Sequence, residues 1–337
     1  MLDFTEAEIM SSWTCKESIR VSVCCITYKQ KQYISQAIDS FLMQKTTFPF
    51  EIIIGEDNGE DGTLDILNDY KNKYPNIIKV LTSNVNIGAN KNLLRIFNLA
   101  KGQYIAVCEG DDYWCDKNKL QSQLELLDAD SSISLCVHAA KLLKDGFLCD
   151  GFQIQSEKKF FSAQDVLLTN KQFSPTASYF FRREVINHLP DWFQFAPIGD
   201  FFIEIYALSI GRGCYLRGSM AVYRVAADNS WSYHIKKDFY KFTTTQERII
   251  EYTYKILLDF PDYKSLIIRR VLGIYLDIIK RCVLSNNDEL LDAYCDKYRM
   301  YNERFDFTQR VLMMSFKFPY ALRFIHKVKS YFPKSYW

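Results

Sequence analysis

The chain has 337 residues, 48% of them hydrophobic, and its 42 basic and 40 acidic side chains leave a formal net charge of +2. Such a composition supplies a substantial core and places the chain among globular proteins. It lacks the basic footprint of a duplex-binding protein, so nucleic acid is excluded as an expected partner.

Met1 to Met10 carries Asp3, Glu6 and Glu8 and does not read as a signal peptide. With ten scattered cysteines and no CxxC pair, the expectation is reduced thiols in the cytoplasm, without disulfides or a zinc site. From Ile19 to Ala106 short apolar runs alternate with helical patterns, as in a wound α/β sheet. Strands are predicted over Arg20–Thr27, Glu51–Glu56, Ile77–Leu81 and Gln103–Cys108. Helices are predicted over Tyr33–Gln44, with Ile34, Ala37, Ile38, Phe41 and Leu42 on one face, and over Gly62–Lys73 and Asn90–Leu99. The carboxyl ends of strands one, two and four then carry Thr27-Tyr28, Glu56-Asp57 and Glu109 to Asp112. Ligands of open parallel sheets bind at that edge.

Asp57 follows a run of three isoleucines and sits among glycines that permit close backbone approach. Its carboxylate suits a nucleobase or ribose; the same residues also suit a plain Asn-Gly and Asp-Gly turn. Neither G-x-G-x-x-G nor a Walker A loop follows a strand, which leaves a metal as the means of holding phosphates.

The acidic segment Glu109-Gly110-Asp111-Asp112-Tyr113-Trp114 is the strongest chemical signal. Carboxylates this close repel unless a cation or hydrogen-bond donors compensate, and hard oxygen ligands select magnesium or manganese. The alternative is an Asp-rich turn capping the helix that begins near Lys117. Later, strand-like Ser178–Phe181 and Tyr215–Arg224 flank a helical stretch from Asp200 to Ser209. Asp200 is either a general base or a helix N-cap beside Gly199, and Glu204 is the next candidate base. The four histidines, His138, His188, His234 and His326, are too dispersed for a metal site or a triad.

After Lys236 nearly everything reads helical, with Phe242, Ile249, Ile250, Tyr254 and Leu257 on one face. The apolar stretch Ser265–Leu284 is broken by Arg269, Arg270, Asp277, Lys280 and Arg281, so no membrane span is expected.

Taken together, Val21 to Tyr28, Ile54-Gly55-Glu56-Asp57 with Asp61-Gly62-Thr63, Asn86-Ile87-Gly88, Tyr104-Ile105-Ala106, Glu109 to Trp114, Pro175 to Ser178, Gly199-Asp200 and Val222-Tyr223-Arg224 resemble family 2 glycosyltransferases over residues 20 to 232. The resemblance implies a GT-A fold, that is an α/β, Rossmann-like mixed sheet flanked by helices, over residues 1–235. About 20–115 would bind the nucleotide-sugar donor and about 116–235 the acceptor, and 236–337 would form a helical C-terminal region. It implies donor contacts from Thr27, Tyr28, Asp57, Asn86, Lys91, Glu109, Gly110 and Asp111. Glu109 and Asp111 would be the two acids of the DxD motif, with Asp111 the main ligand of Mn2+ or Mg2+ and Asp112 structural. Asp200 would be the base of an inverting transfer from a UDP-sugar to a glycan or lipid-linked acceptor, in the setting of bacterial cell-surface polysaccharide such as O-antigen or capsule. The chain departs from the pattern with Glu109 in place of Asp, with Val225-Ala226-Ala227 where many relatives carry a histidine after the Tyr-Arg pair, and in lacking the Q-x-x-R-W signature of processive synthases.

Two rivals are a sugar nucleotidyltransferase, whose early basic glycine-rich loop is not found, and a non-catalytic carbohydrate-binding protein or scaffold. The last stretch, Met313–Trp337, interleaves aromatic and basic residues; it suits either peripheral contact with the cytoplasmic membrane face or a helix docked on the core.

Overall fold

The computed structural model describes residues 5–14, 18–152, 159–169, 171–228, 230, 235 and 237–301. The chain divides into two compact units, Met1–His234 and Ile235–Trp337.

The first unit is built on a mixed sheet of ten strands. β1 (Val21–Thr27) and β2 (Phe50–Glu56) pair in parallel from Val21↔Phe50 to Thr27↔Glu56. β3 (Ile78–Leu81) extends β2, and β4 (Tyr104–Val107) pairs with β1, both also in parallel. β1, β2 and β4 are covered on both faces, which is why they read as unbroken apolar runs rather than alternating ones. Ile52, Ile53 and Ile54 are fully buried, each worth roughly 1.5–3 kcal/mol relative to exposure.

The covering helices follow the expected periodicity. α1 (Glu6–Ser11) opens the chain with a capping box from Thr5 and Glu8. α2 (Ile34–Leu42) buries Ile34, Ala37, Ile38, Phe41 and Leu42, the full predicted face. α3 (Thr63–Lys73) and α4 (Ala89–Phe97) start from Gly62 and Gly88, whose φ of 90° and 89° lie in the region that glycine enters without strain.

Beyond β4 the chain adds β5 (Tyr113–Trp114), α5 (Lys119–Ala129) and the twelve-residue β6 (Ile133–Lys144). β7 (Phe147–Gly151) turns back on β6 as a hairpin. β8 (Phe160–Phe161), α6 (Ala163–Leu167), β9 (Phe180–Arg182), α7 (Val185–His188), α8 (Asp200–Ala207) and β10 (Arg212–Arg224) complete the unit. β9 runs antiparallel to both β4 and β6, while β6 pairs in parallel with β10. The sequence reading contains β9 and β10 but not β6. Its Ser-Leu-Cys-Val-His-Ala-Ala run is broken by Ser134 and His138, polar side chains buried with the rest of eight consecutive residues.

The second unit holds α9 (Phe239–Lys255), α10 (Lys264–Leu284) and α11 (Asp288–Arg299). Asp238 and Asn287 cap α9 and α11 through bonds from the amides of Lys241 and Leu290. Among the described residues no helix is long and apolar enough to cross a membrane. His234, His326 and Met313–Trp337 lie outside the described residues.

Candidate active site

Because β1, β2 and β4 are parallel neighbours, their carboxyl ends meet at one edge of the sheet. There the amide of Asp57 donates to the carbonyl of Thr27 at 3.1 Å. Asp57, 2% exposed, accepts the amide of Ile87 on one carboxylate oxygen (2.8 Å) and that of Gly88 on the other (2.9 Å). Its nearer task is thus to hold the loop in front of α4, a role the turn reading did not contain. Asn86, exposed in the same loop, accepts the Gly88 amide at 3.0 Å. Lys91 is exposed one turn on, with its ammonium 5.1 Å from the centre of the Phe195 ring. Tyr28 stands half-buried at the end of β1 with the Lys29 ammonium 5.3 Å from its ring.

The acidic segment continues the line of β4. Cys108 and Gly110 donate their amides to the carbonyls of Cys24 and Ile26 at 3.2 and 3.0 Å. Gly110 is pressed into the end of β1. A Cβ there would lie 2.6 Å from Gln30 Oε1 and 2.9 Å from Thr27 Oγ1. Both of those oxygens are buried and have no hydrogen-bond partner among the described residues. The Gln30 side chain also hydrogen-bonds Asp111, and Thr176 hydrogen-bonds Glu109. Asp112 accepts the amide of Arg224, at the end of β10, at 2.8 Å.

The segment does not cap α5. β5 intervenes, Asn118 is the N-cap residue, and Asp116 bonds the Asn118 amide in the turn before it.

Crowded acids make this edge electrostatically unusual. Desolvation first, then the neighbouring Asp111 and Asp200, push Glu109 up to about 8. Desolvation raises Asp111 as well, against the pull of Gln30 and Arg224. Asp112 is pushed well above the usual carboxylate range by burial and by both neighbouring acids. A nearby cation, Arg224, has its guanidinium 4.9 Å from the Tyr33 ring and 5.0 Å from the Tyr113 ring, and bonds Gln36. Past it, Asp228 ties the chain back: its carboxylate accepts from Gln32 (3.1 Å) and its amide donates to the Tyr33 hydroxyl (3.2 Å).

This donor set fits a hard divalent cation: crowded carboxylates beside neutral oxygens are what magnesium and manganese bind. Among the described residues no three His, Cys, Asp or Glu side chains form a cage that would hold a metal alone.

Asp200 is the first residue of α8, and Gly199 rather than Asp200 is the N-cap residue. Its carboxylate accepts the amide of Phe201 at 2.8 Å and is near enough to Glu109 to raise that acid. Glu204, one turn on, is 2% exposed and accepts the hydroxyls of Ser174 (2.6 Å) and Tyr179 (2.8 Å). It is a buried acid engaged by two hydroxyls. His138 is fully buried against the Ala139 carbonyl, and His188 lies 3.9 Å from Glu184, so neither joins the edge.

The edge therefore gathers Thr27, Asp57, Glu109, Gly110, Asp111 and Asp200. Gln30, Thr176 and Arg224 are site neighbours that the residue-by-residue sequence reading assigned no role. Their contacts are made across 81, 67 and 112 positions of chain, where no local pattern reaches.

The family described as glycosyl transferase family 2 matches residues 22–189. An uncharacterized protein of Mycobacterium tuberculosis is 32% identical over 241 residues, 71% of this chain and 68% of its own length. Among solved structures, S. aureus TarS superposes with a TM-score of 0.60 at 16% identity, over 90% of this chain and 54% of TarS. TarS 1-349 in complex with UDP-GlcNAc gives 0.55 at 16% identity, over 89% and 92%. The mannosyltransferase PcManGT of Pyrobaculum calidifontis, in complex with GDP-Man and Mn2+, gives 0.58 at 13% identity, over 98% and 94%. At these identities the structural likeness is one of fold.

Proposed function

The chain belongs to glycosyl transferase family 2 and is a glycosyltransferase on a GT-A fold, and on that premise we propose that it moves a sugar from a UDP-sugar to a hydroxyl of a glycan or lipid-linked acceptor with inversion. The observation that carries this reading is that Asp200 and Asp111 both stand close enough to Glu109, at one sheet edge, to raise it. The first unit is the catalytic domain in this account, and the acceptor belongs to a cell-surface polysaccharide pathway met at the cytoplasmic face of the membrane.

Asp57 and the loop it holds, with Thr27, Tyr28, Asn86 and Lys91, receive the nucleoside. Gly110 lets the donor approach the acidic segment closely. Asp111, supported by Glu109, would hold a divalent cation with substrate oxygens completing its coordination. Such a cation, Mn2+ or Mg2+, supplies positive charge against the leaving diphosphate. Asp200 takes the proton of the acceptor hydroxyl. The acceptor oxygen bonds to the anomeric carbon while the bond to the diphosphate breaks, and the electron pair departs on the nucleoside diphosphate. Attack opposite the leaving group inverts the anomeric centre. That folds like this one occur in complex with UDP-GlcNAc and with GDP-Man and Mn2+ supports the donor and metal assignments.

The test is transfer by Asp200→Asn, with the product's anomeric configuration read by proton NMR. Turnover falls by roughly two to four orders of magnitude while UDP binding persists, and the wild-type product is inverted. Unchanged turnover or a retained anomer contradicts the reading.

A further inference from the structure

One side chain joins the two halves of the catalytic edge. Asn90, the second residue of α4 and 8% exposed, directs its Nδ2 to the carbonyl oxygens of Phe193 (3.1 Å), Ala196 (2.9 Å) and Ile198 (3.2 Å). Its two N–H donors are thus shared among three acceptors. The loop so held leads directly into Gly199 and Asp200. On the same side chain, Oδ1 lies 2.5 Å from where a Cβ of residue 199 would stand, so the chain passes Asn90 at a distance that only glycine allows. The Lys91 ammonium over the Phe195 ring is a second stitch between the same two segments.

The other end of this connection is equally fixed. Asp57 holds the amides of Ile87 and Gly88, the two residues before α4, and Asn92 of α4 donates to the carbonyl of Gly55 at 2.8 Å. The connection thus runs from Asp57 by hydrogen bond to Gly88, along the first turn of α4 to Asn90, and from Asn90 by hydrogen bond to Ile198, two residues before Asp200.

We propose that Asn90 is a positioning residue of the transfer reaction: by clamping the 193–198 loop to α4 it sets where Asp200 stands relative to a donor bound at Asp57. The inference rests on the reading of Asp200 as base. It asks one side chain to hold a segment that leaves the single 3-10 turn Asp191–Phe195 and has no strand partner, and a displacement of about 1 Å at a reacting group costs on the order of a hundredfold in rate.

The test is a cycle of Asn90→Ala, Asp200→Asn and the double variant in the full chain. Turnover is followed with a UDP-sugar and a saturating saccharide acceptor, and binding by calorimetry with UDP and Mn2+. Asn90→Ala is expected to lower kcat by about 30–100-fold and to leave UDP affinity within about threefold. In the Asp200→Asn background the same change should lower kcat by less than about threefold, because the misplaced group is already disabled. Fully additive losses with Asp200→Asn strongly impaired overturn this inference and leave the base intact, since Asn90 then acts only on the fold. Weakened UDP binding with unchanged kcat overturns it in favour of a donor contact. Wild-type turnover of Asp200→Asn overturns the base and the inference together. Should Asn90→Ala not fold, Gly199→Ala, which pushes on Asn90 Oδ1 while keeping its donors, carries the same expectations in the same cycle.

Discussion

Asp112 accepts the backbone amide of Arg224 at 2.8 Å, and this one bond ties the acidic segment after β4 to the end of β10, 112 positions later. It separates two neighbours of similar chemistry. Asp112 is 4% exposed and committed to the frame, whereas Asp111 reaches the edge beside Gln30.

Burial and the adjacent acids push Asp112 well above the usual carboxylate range, and asparagine keeps an oxygen that can accept the Arg224 amide. Asp112→Asn should keep turnover within about threefold, while Asp111→Asn loses about a hundredfold or more, the scale of a removed electrostatic contact to a leaving group. Steady-state kinetics of the two variants check this. Equal losses would contradict the division of roles.

Gly110 tests the tightness of the edge. An added methyl would stand 2.6 Å from Gln30 Oε1 and 2.9 Å from Thr27 Oγ1, so Gly110→Ala must displace both oxygens. The expected result is a loss of UDP affinity of about tenfold or more with a melting temperature lowered by only a few degrees, a strain of roughly 1–3 kcal/mol. Intact affinity in calorimetry would show that donors do not approach this point.

Cation binding should release protons. Glu109 sits at about 8 against an ordinary 4.5, so at pH 7 most molecules hold a proton there that a bound metal must expel. Calorimetry with UDP and Mn2+ in buffers of different ionisation enthalpy should count close to one proton at pH 7 and fewer above pH 8. The sign for the metal-free fold is opposite to that of a paired acid. Between about 4.5 and about 8 the folded chain keeps a proton that the unfolded chain has lost, so stability falls as pH rises through that window.

Lys119 gives a second pH signal, of opposite sign. It is fully buried, bonded to Gln123 at 2.7 Å and 4.2 Å from the centre of the Trp114 ring, and desolvation pulls it down to about 7. Between about 7 and the ordinary 10.5 the unfolded chain holds a proton that the folded chain lacks, so this group makes stability rise with pH. Denaturant melts of wild type and Lys119→Met across that range should show the difference in slope. Parallel curves would contradict the assignment.

What the sequence disclosed follows from which forces are local. β1, β2 and β4 were legible because strands buried on both faces are continuous apolar runs, and α2 because its buried face recurs at helical spacing. β6 was not, since the polar Ser134 and His138, buried with their neighbours, interrupt its apolar run, although Asp145-Gly146, both at positive φ, mark the hairpin that follows it. At the site the acids were visible as residue types at strand ends. The contacts that give them character are between distant segments: Gln30 with Asp111, Thr176 with Glu109, Asn90 with the loop before Asp200. Asp57 shows the limit most clearly, because a carboxylate that looks free in the sequence spends both oxygens on the amides of Ile87 and Gly88.

The central claim is that this edge binds a nucleotide-sugar through a cation at Asp111. Its most direct measurement is calorimetric titration of the chain with UDP, UDP-GlcNAc and GDP-mannose, each with and without Mn2+. The account predicts saturable binding of at least one uridine nucleotide that requires Mn2+ and disappears in Asp111→Asn. Binding that ignores the metal, or no binding of any of the three, would contradict it.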